Sequence, residues 1–403
     1  MTESQGMRPW PGDLKVALVH DWLTGMRGGE KCLEVFAEIF PQADIFTLLH
    51  VPGSLSATLE SRRITTSFVQ KIPAAPRVYR WALPLFPRAI EGLDLSGYDL
   101  VFSSSHCVAK GAIKSPGALS VCYCHTPMRY VWDMFPAYFG HKPALVRKVI
   151  GWQAARLRHW DRRTSARVDH YLANSRVVRQ RILDFYGTPE DKVSIIHPPV
   201  EVDRFQDAGQ LPVPDGLATG SYDLVVSALV PYKKVDLAVA AARRAGRTLV
   251  VVGKGPEKDR LEKLAAATAG RGRVHFAGAV SDADLPRYYA HCRSFVFPGL
   301  EDFGITPLEA TAAGRPVVAF GQGGVLDTVQ ENLNGILFFE QTVEALARAL
   351  EDPRLDGPWD RDAMRAHARS FRTERFRAEI ENTLRQLWDR HVSRADEDKG
   401  GRP

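Results

Sequence analysis

Short apolar, β-branched runs alternate with helical patterns from one end of this chain to the other. Val16–Val19, Ile45–Leu48, Leu100–Phe102, Ser120–Tyr123 and His170–Ala173 read as the strands of a first half. Leu224–Ser227, Thr248–Val252, Val274–Phe276, Phe295–Phe297 and Pro316–Ala319 read as the strands of a second. These runs are continuously apolar rather than alternating, as strands covered on both faces are. Between them, Glu30–Phe40, Val235–Ala245, Lys258–Thr268 and Leu285–His291 carry helical periodicity. The alternation predicts an α/β protein of two Rossmann-like, doubly wound parallel-sheet domains. Asp207–Gly220, rich in Gly and Pro, has a linker composition. The expected divisions are residues 1–200, 201–375 and 376–403. The last begins a helix, read over Thr373–Arg390, with Phe376, Ile380, Leu384 and Leu387 on one face; a frayed polar tail is expected from Ser393 on.

Length supports two domains, since 403 residues exceed one ordinary core. With 45% hydrophobic and 25% charged residues, the composition is that of a globular protein. No apolar run reaches the length of a membrane-spanning helix. Met1–Gly12 lacks the basic-then-apolar layout of a signal peptide and reads as a short disordered lead. Five cysteines, with Cys122 and Cys124 one residue apart, fit no zinc spacing and read as reduced thiols of a cytoplasmic protein. The net charge of +6 is unevenly spread: from Lys142 to Arg181 only Asp161 and Asp169 oppose a dense run of Arg and Lys. That run is either a solvated face or a surface for anionic headgroups or a diphosphate-bearing acceptor. No nucleic-acid motif accompanies it, so nucleic acid is not the expected partner.

The densest chemistry lies in Glu301-Asp302-Phe303-Gly304-Ile305-Thr306-Pro307-Leu308-Glu309, directly after the Phe295–Phe297 strand. Thr306 reads as an N-cap, Pro307 as the first helical residue and Glu309 as the capping-box partner. The amides of such a helix start would face back into the loop and attract phosphate. The same residues could serve only as a cap. Glu301 eight residues ahead of Glu309, with Phe303-Gly304 between, resembles the Glu-x7-Glu motif of retaining glycosyltransferases of family 4, which have the GT-B fold. The segment His125-Thr126-Pro127-Met128-Arg129-Tyr130-Val131-Trp132-Asp133, and His20-Asp21-Trp22-Leu23 with Gly28-Gly29-Glu30, are similar to the bacterial GDP-mannose-dependent mannosyltransferases of that family. The resemblance runs from His20 to about Phe376.

It implies two domains facing across a cleft, with the C-terminal helix able to return to the first. Glu301 would face the donor sugar, Phe303, Gly304, Ile305 and Thr306 would hold sugar and diphosphate, and Glu309 would meet the ribose. After the strand at Leu224–Ser227, Lys234 aligns with the lysine that meets the donor diphosphate. Lys233 stands beside it, and Ala228 stands where an Arg is common. Gly28 and Gly29 would face the donor phosphates, and Gly253 would wall the nucleoside. His125 would contact the transferred sugar, making His125, Glu301 and Lys234 the catalytic candidates. His106, Lys110, Arg129, Trp132 and Asp133 are candidates for the acceptor side. Gly321–Gly324 is a glycine loop at a strand end, or only a turn. Asp282-Ala283-Asp284 has the form of a metal-binding Asp-x-Asp, but Ser281 and Asp284 explain the acids as a helix start, so no metal or cofactor is expected.

The implied activity is metal-independent, retaining transfer of a hexose by front-face displacement, with mannose from GDP-mannose first. The implied acceptor is a lipid-linked glycan or oligosaccharide of a bacterial surface polysaccharide such as lipopolysaccharide. The aromatic and basic run Arg77–Arg88 suits peripheral contact with the anionic inner face of the cell membrane, or else a buried helix edge. The rival readings are a UDP- or dTDP-sugar transferase (glucosyl, galactosyl or rhamnosyl) and a non-catalytic nucleotide-sugar-binding protein.

Overall fold

A computed structural model describes residues 10–140 and 142–400 of the chain. The expected lead therefore lies outside the described residues as far as Pro9. Trp10 is described and packs on Phe40, the ring centroids 5.0 Å apart. The chain divides into two compact units. Residues up to Pro198 and from Phe376 on form the first, and Pro199–Arg375 the second.

The first unit holds a seven-stranded parallel sheet. Its strands are β1 (Val16–His20), β2 (Asp44–Thr47), β3 (Ile64–Thr66), β4 (Leu100–Ser105), β5 (Leu119–Cys124), β6 (His170–Ala173) and β7 (Val193–Ile195). Their spatial order is β3-β2-β1-β4-β5-β6-β7. Both faces are buried, which is why the strands read as unbroken apolar runs. Val16, Leu18 and Phe102 point into one core with Phe36, while Ala17, Val19 and Val101 point into another with Phe46 and Leu157. The C-terminal helix, Thr373–Gly400, places Phe376, Ile380, Leu384 and Leu387 in the first of these cores. Phe376 lies 5.8 Å from Phe36 and 5.5 Å from Tyr123 between ring centroids. This helix continues through the polar segment expected to fray from Ser393, because neither Gly nor Pro interrupts it before Gly400.

The second unit has a six-stranded parallel sheet of β8 (Asp223–Val226), β9 (Thr248–Val252), β10 (Arg273–Gly278), β11 (Ser294–Phe297), β12 (Val317–Phe320) and β13 (Gly335–Phe338). The order is β10-β9-β8-β11-β12-β13. Again alternate residues of one strand enter opposite cores: Phe295 and Phe297 with Leu308, Val296 with Val318 and Ala238. Each sheet reverses its order beside its first strand, at β1/β4 in one unit and β8/β11 in the other. In open α/β sheets the crevice beyond the carboxyl ends of such a strand pair is the place for a ligand.

Candidate functional site

In the second unit, the residues beyond β8 and β11 meet at the switch point. The chain leaves β8, makes a tight turn at Pro231–Lys233, and enters the helix Val235–Arg244 through Lys234. Lys233 Nζ forms an ion pair with Glu301 Oε1, each side chain 20% exposed. A small cavity beside this pair is lined by Val226, Ser227, Phe297 and Gly299. Lys233 is therefore the lysine brought to Glu301, not Lys234. Lys234 takes the left-handed conformation (φ 54°, ψ 34°) that ends the turn, and its side chain is exposed. Ala228 is exposed in the same loop.

The helix after β11 also departs from its sequence reading. It spans Ile305–Ala312 and is entered through Gly304 at φ 90°, so Thr306 lies inside the first turn and caps nothing. A left-handed entry is open to Gly at little cost, and it starts the helix two residues earlier than a Thr306 cap would. Glu309 has a partner outside its own helix. Its Oε2 accepts from the Tyr289 hydroxyl at 2.7 Å, and burial together with Glu309 pushes the Tyr289 phenol well above its usual range, keeping it a donor. The Phe303 side chain is core, with Phe371 6.0 Å away between centroids, so only its backbone is available to a ligand. Ile305 and Thr306 supply the first amides of the helix, and Pro307 has none.

The loop Gly321–Gly324 buttresses Glu301. Gly324 N donates to Glu301 O at 2.9 Å, and a Cβ on Gly324 would fall 2.2 Å from Asp302 O. Gly253 is likewise a point of close approach: a Cβ there would lie 1.9 Å from Ser227 O. It brings the end of β9 against the loop that carries Lys233. In the Asp-x-Asp segment, Ser281 Oγ donates to Asp284 Oδ2 at 2.7 Å and accepts from Asp284 N at 3.1 Å, which accounts for that acid locally.

The first unit gathers histidines at its own switch point. β1 ends on His20 and is followed by Asp21; β4 leads into His106, and β5 into His125. Asp21 is wholly buried. Its Oδ2 accepts from His106 N (2.7 Å) and Cys107 N (2.9 Å), and its Oδ1 from Val108 N (2.6 Å) and Ala109 N (2.8 Å). His106 Nδ1 lies 3.1 Å from Oδ2. A carboxylate only accepts, so Nδ1 carries the hydrogen and Nε2 is the nitrogen left for a ligand. Asp21 fixes the whole β4 loop through contacts 85 to 88 residues away, which its sequence neighbourhood does not reveal.

His125 Nε2 lies 2.9 Å from Ser104 Oγ, and its ring stands 6.3 Å from that of His106. Burial, and secondarily the charge of His106, depress the His125 pKa to about 3, so the ring is neutral near pH 7. His20 is buried and is held well below the usual range by burial and by His106 and His125. The helix Gly28–Ile39 begins against these rings: a Cβ on Gly29 would sit 3.4 Å from His20 Cε1 and 3.7 Å from His125 Nε2. Gly28 and Gly29 are thus the first helical residues, beside the histidines.

Three acceptor-side candidates are engaged by scaffold partners. Lys110 is buried, with Nζ 2.9 Å from Asp161 Oδ1 and donating to Asp161 O at 2.7 Å. Trp132 donates its indole N–H to Asp161 Oδ2 at 2.8 Å and stacks on Phe185 at 4.7 Å. Asp133 pairs with Arg181 at 2.7 Å. A buried lysine needs a paired charge, and these three residues satisfy such needs around Asp161 and Arg181. Arg129 is half-buried in the same loop, its carbonyl accepting from Met134 N at 2.9 Å.

Comparison with known proteins gives the same reading of both halves. A family model described as Glycosyltransferase Family 4 matches residues 26–204, and one described as Glycosyl transferases group 1 matches residues 219–371. The chain belongs to glycosyltransferase family 4. It is 34% identical over 221 residues to a GDP-mannose-dependent alpha-(1-6)-phosphatidylinositol monomannoside mannosyltransferase of Mycobacterium tuberculosis, covering 50% of this chain and 57% of that one. It is 31% identical over 265 residues to a D-inositol 3-phosphate glycosyltransferase of Salinispora tropica, covering 59% and 53%. The chain thus spans about half the length of the curated relatives it matches. Among solved structures, a sucrose-phosphate synthase of Thermosynechococcus elongatus superposes with a TM-score of 0.69 at 20% identity, over 93% of this chain and 99% of that one. Anabaena HepE in complex with UDP superposes with a TM-score of 0.65 at 18% identity, over 92% and 99%. At these identities the likeness shows the fold, which is GT-B.

Proposed function

We propose that the protein is a retaining glycosyltransferase that moves mannose from GDP-mannose to a lipid-linked or oligosaccharide acceptor in bacterial surface-polysaccharide synthesis. The observation that carries this is the Lys233–Glu301 pair at the second unit's switch point, beside the Gly304-led helix start. A diphosphate entering there would meet the Lys233 ammonium and the Ile305 and Thr306 amides. It would draw Lys233 from Glu301 and release that carboxylate toward sugar hydroxyls. As the bond from the sugar's anomeric carbon to the phosphate oxygen breaks, the acceptor oxygen bonds that carbon on the same face. The acceptor proton passes to the leaving phosphate oxygen, and a nucleoside diphosphate departs. Charge growing on that oxygen is stabilised by Lys233, which removes the need for a divalent ion. His125, neutral and oriented by Ser104, serves the sugar as a hydrogen-bonding group rather than as a cation. Mannose and the guanine nucleotide are favoured by the mycobacterial mannosyltransferase likeness and by the His125–Asp133 segment.

A thermal-shift series with GDP-, UDP- and dTDP-sugars in EDTA tests the reading. A ligand that binds only the native fold raises the melting temperature, by an amount that grows with its concentration. GDP-mannose is expected to give the largest rise, and Lys233→Ala to abolish it. A larger response to a UDP- or dTDP-sugar would replace the donor, and no response to any nucleotide sugar would overturn the function.

A further inference from the structure

The helix Ala144–Ser165 presents a face that the first unit does not cover. Leu145, Val149, Trp152, Arg156, His159 and Arg163 follow one another at spacings of four, three, four, three and four, so they form one stripe along it. All six are exposed. The N-terminal half of the stripe is apolar, with Leu145 75%, Val149 57% and Trp152 56% exposed. The C-terminal half is cationic, and the Arg156 guanidinium lies 4.9 Å from the Trp152 ring centroid. Trp152, Arg156, His159 and Arg163 also line a shallow open groove of about 440 Å³. The opposite side is core: Ala154, Leu157 and Trp160 pack with Phe86 and Val108.

Charge is as one-sided as exposure. Arg147, Lys148, Arg156, Arg158, Arg162 and Arg163 are all exposed, and among the described residues none of them pairs with a carboxylate. The helix's one acid, Asp161, is buried and neutralised by Lys110. An apolar ridge flanked by unpaired cations on one amphipathic helix matches the boundary between lipid headgroups and acyl chains. A polyanion such as nucleic acid would use the cations but leave the Leu145–Val149–Trp152 ridge exposed to water. We propose that this helix docks the first unit on an anionic bilayer, with Leu145, Val149 and Trp152 entering the headgroup layer and Arg156 and Arg163 at lipid phosphates. The inference is separate from the donor chemistry, because lipid binding is read without turnover.

The test is co-sedimentation of the full chain with sucrose-loaded vesicles, of phosphatidylcholine alone or with 30 mol% phosphatidylglycerol, in low and high salt. Binding is expected only with phosphatidylglycerol and is expected to weaken as salt rises. Each cation removed near such a surface weakens binding about fivefold, so Arg156→Gln with Arg163→Gln should weaken it roughly 25-fold. Val149→Ser with Trp152→Ser should abolish sedimentation while leaving the melting temperature unchanged, since both side chains are exposed. Failure to sediment with phosphatidylglycerol in low salt would overturn the proposal. So would variants that bind like the parent, or binding lost to Trp81→Ser on the separate Arg77–Arg88 run but not to the helix variants.

Discussion

The two units use the same sheet reversal to build opposite kinds of site. At β1/β4 the first unit assembles largely buried groups: two imidazoles held neutral by desolvation, and a carboxylate saturated by four backbone amides. At β8/β11 the second unit assembles a partly exposed ion pair beside a helix start. The first is suited to shape and hydrogen bonding, since neutral donors and acceptors in a dry site orient hydroxyls without attracting bulk anions. The second is suited to charge, since a lysine already paired with one anion can be exchanged onto another. A common topology thus fixes where a site lies but not its chemistry, which comes from a handful of residues after the strand ends.

The sharpest way to break this contrast is at the charged site. Lys233→Ala should lower kcat/KM for transfer by about 10²–10³-fold, on the order of 3–4 kcal/mol, as the loss of one group that stabilises developing charge does. Lys234→Ala, which removes an exposed side chain, should stay within about threefold. Steady-state kinetics on the two variants decides between the neighbouring lysines. A reversed order would return the role to Lys234.

At the buried site, the largest effect is expected on stability. Asp21→Asn turns one of two accepting oxygens into a donor that faces amides already donating. Buried donors left without an acceptor cost about 1–3 kcal/mol each, so a total of roughly 2–4 kcal/mol is expected after relaxation. Chemical denaturation would show it as a lower midpoint with unchanged slope. His106→Gln keeps the amide contacts to Asp21 and should cost much less stability, while altering KM for the acceptor.

Acid sharpens the comparison a step lower. The His125 pKa is about 3 in the folded state, against about 6.5 in an unfolded chain. Between those values the unfolded chain takes the proton and the folded one does not. Stability from this residue is therefore complete above about pH 6.5 and falls as pH drops toward 3. From pH 6.5 to 4 the loss is on the order of 2–3 kcal/mol, and His20 acts in the same direction. His125→Gln should therefore lose less melting temperature between pH 7 and pH 4 than the parent. Equal losses would mean that the ring titrates near its ordinary value.

The contrast also explains what could be read from sequence. The fold was legible because strands buried on both faces must be apolar throughout, and the central ones, from Val16–Val19 to Phe295–Phe297, stand out for that reason. The strands without a clear sequence pattern, β3, β7 and β13, all lie at sheet edges. Edge strands are short and half-covered, so Ile64–Thr66 and Val193–Ile195 carry too few apolar positions to show a pattern. The residues at the charged site were legible as types, but a turn of a few residues determined whether Lys233 or Lys234 faces Glu301. A left-handed residue at 234 leaves no trace in composition. The buried site was least legible: Asp21, Ser104 and the Asp161 network gain their roles from partners far along the chain, and Lys110 and Asp133 look like ligand groups until those partners are placed.

The smallest effect belongs to the helix start beside the ion pair, where the two readings differ by two residues. If Thr306 were the N-cap, Thr306→Ala would cost about 1 kcal/mol. With Gly304 as the entry at φ 90°, the Thr306 hydroxyl caps nothing, and the same change should stay within about 0.5 kcal/mol. Gly304→Ala carries the penalty instead. It forces a Cβ into a left-handed conformation and places it 3.1 Å from the Phe297 ring, for a cost of roughly 1–2 kcal/mol. Denaturation of the two variants side by side separates the readings without any ligand. A costly Thr306→Ala with a silent Gly304→Ala would move the helix start to Thr306, and with it the amides assigned to the diphosphate.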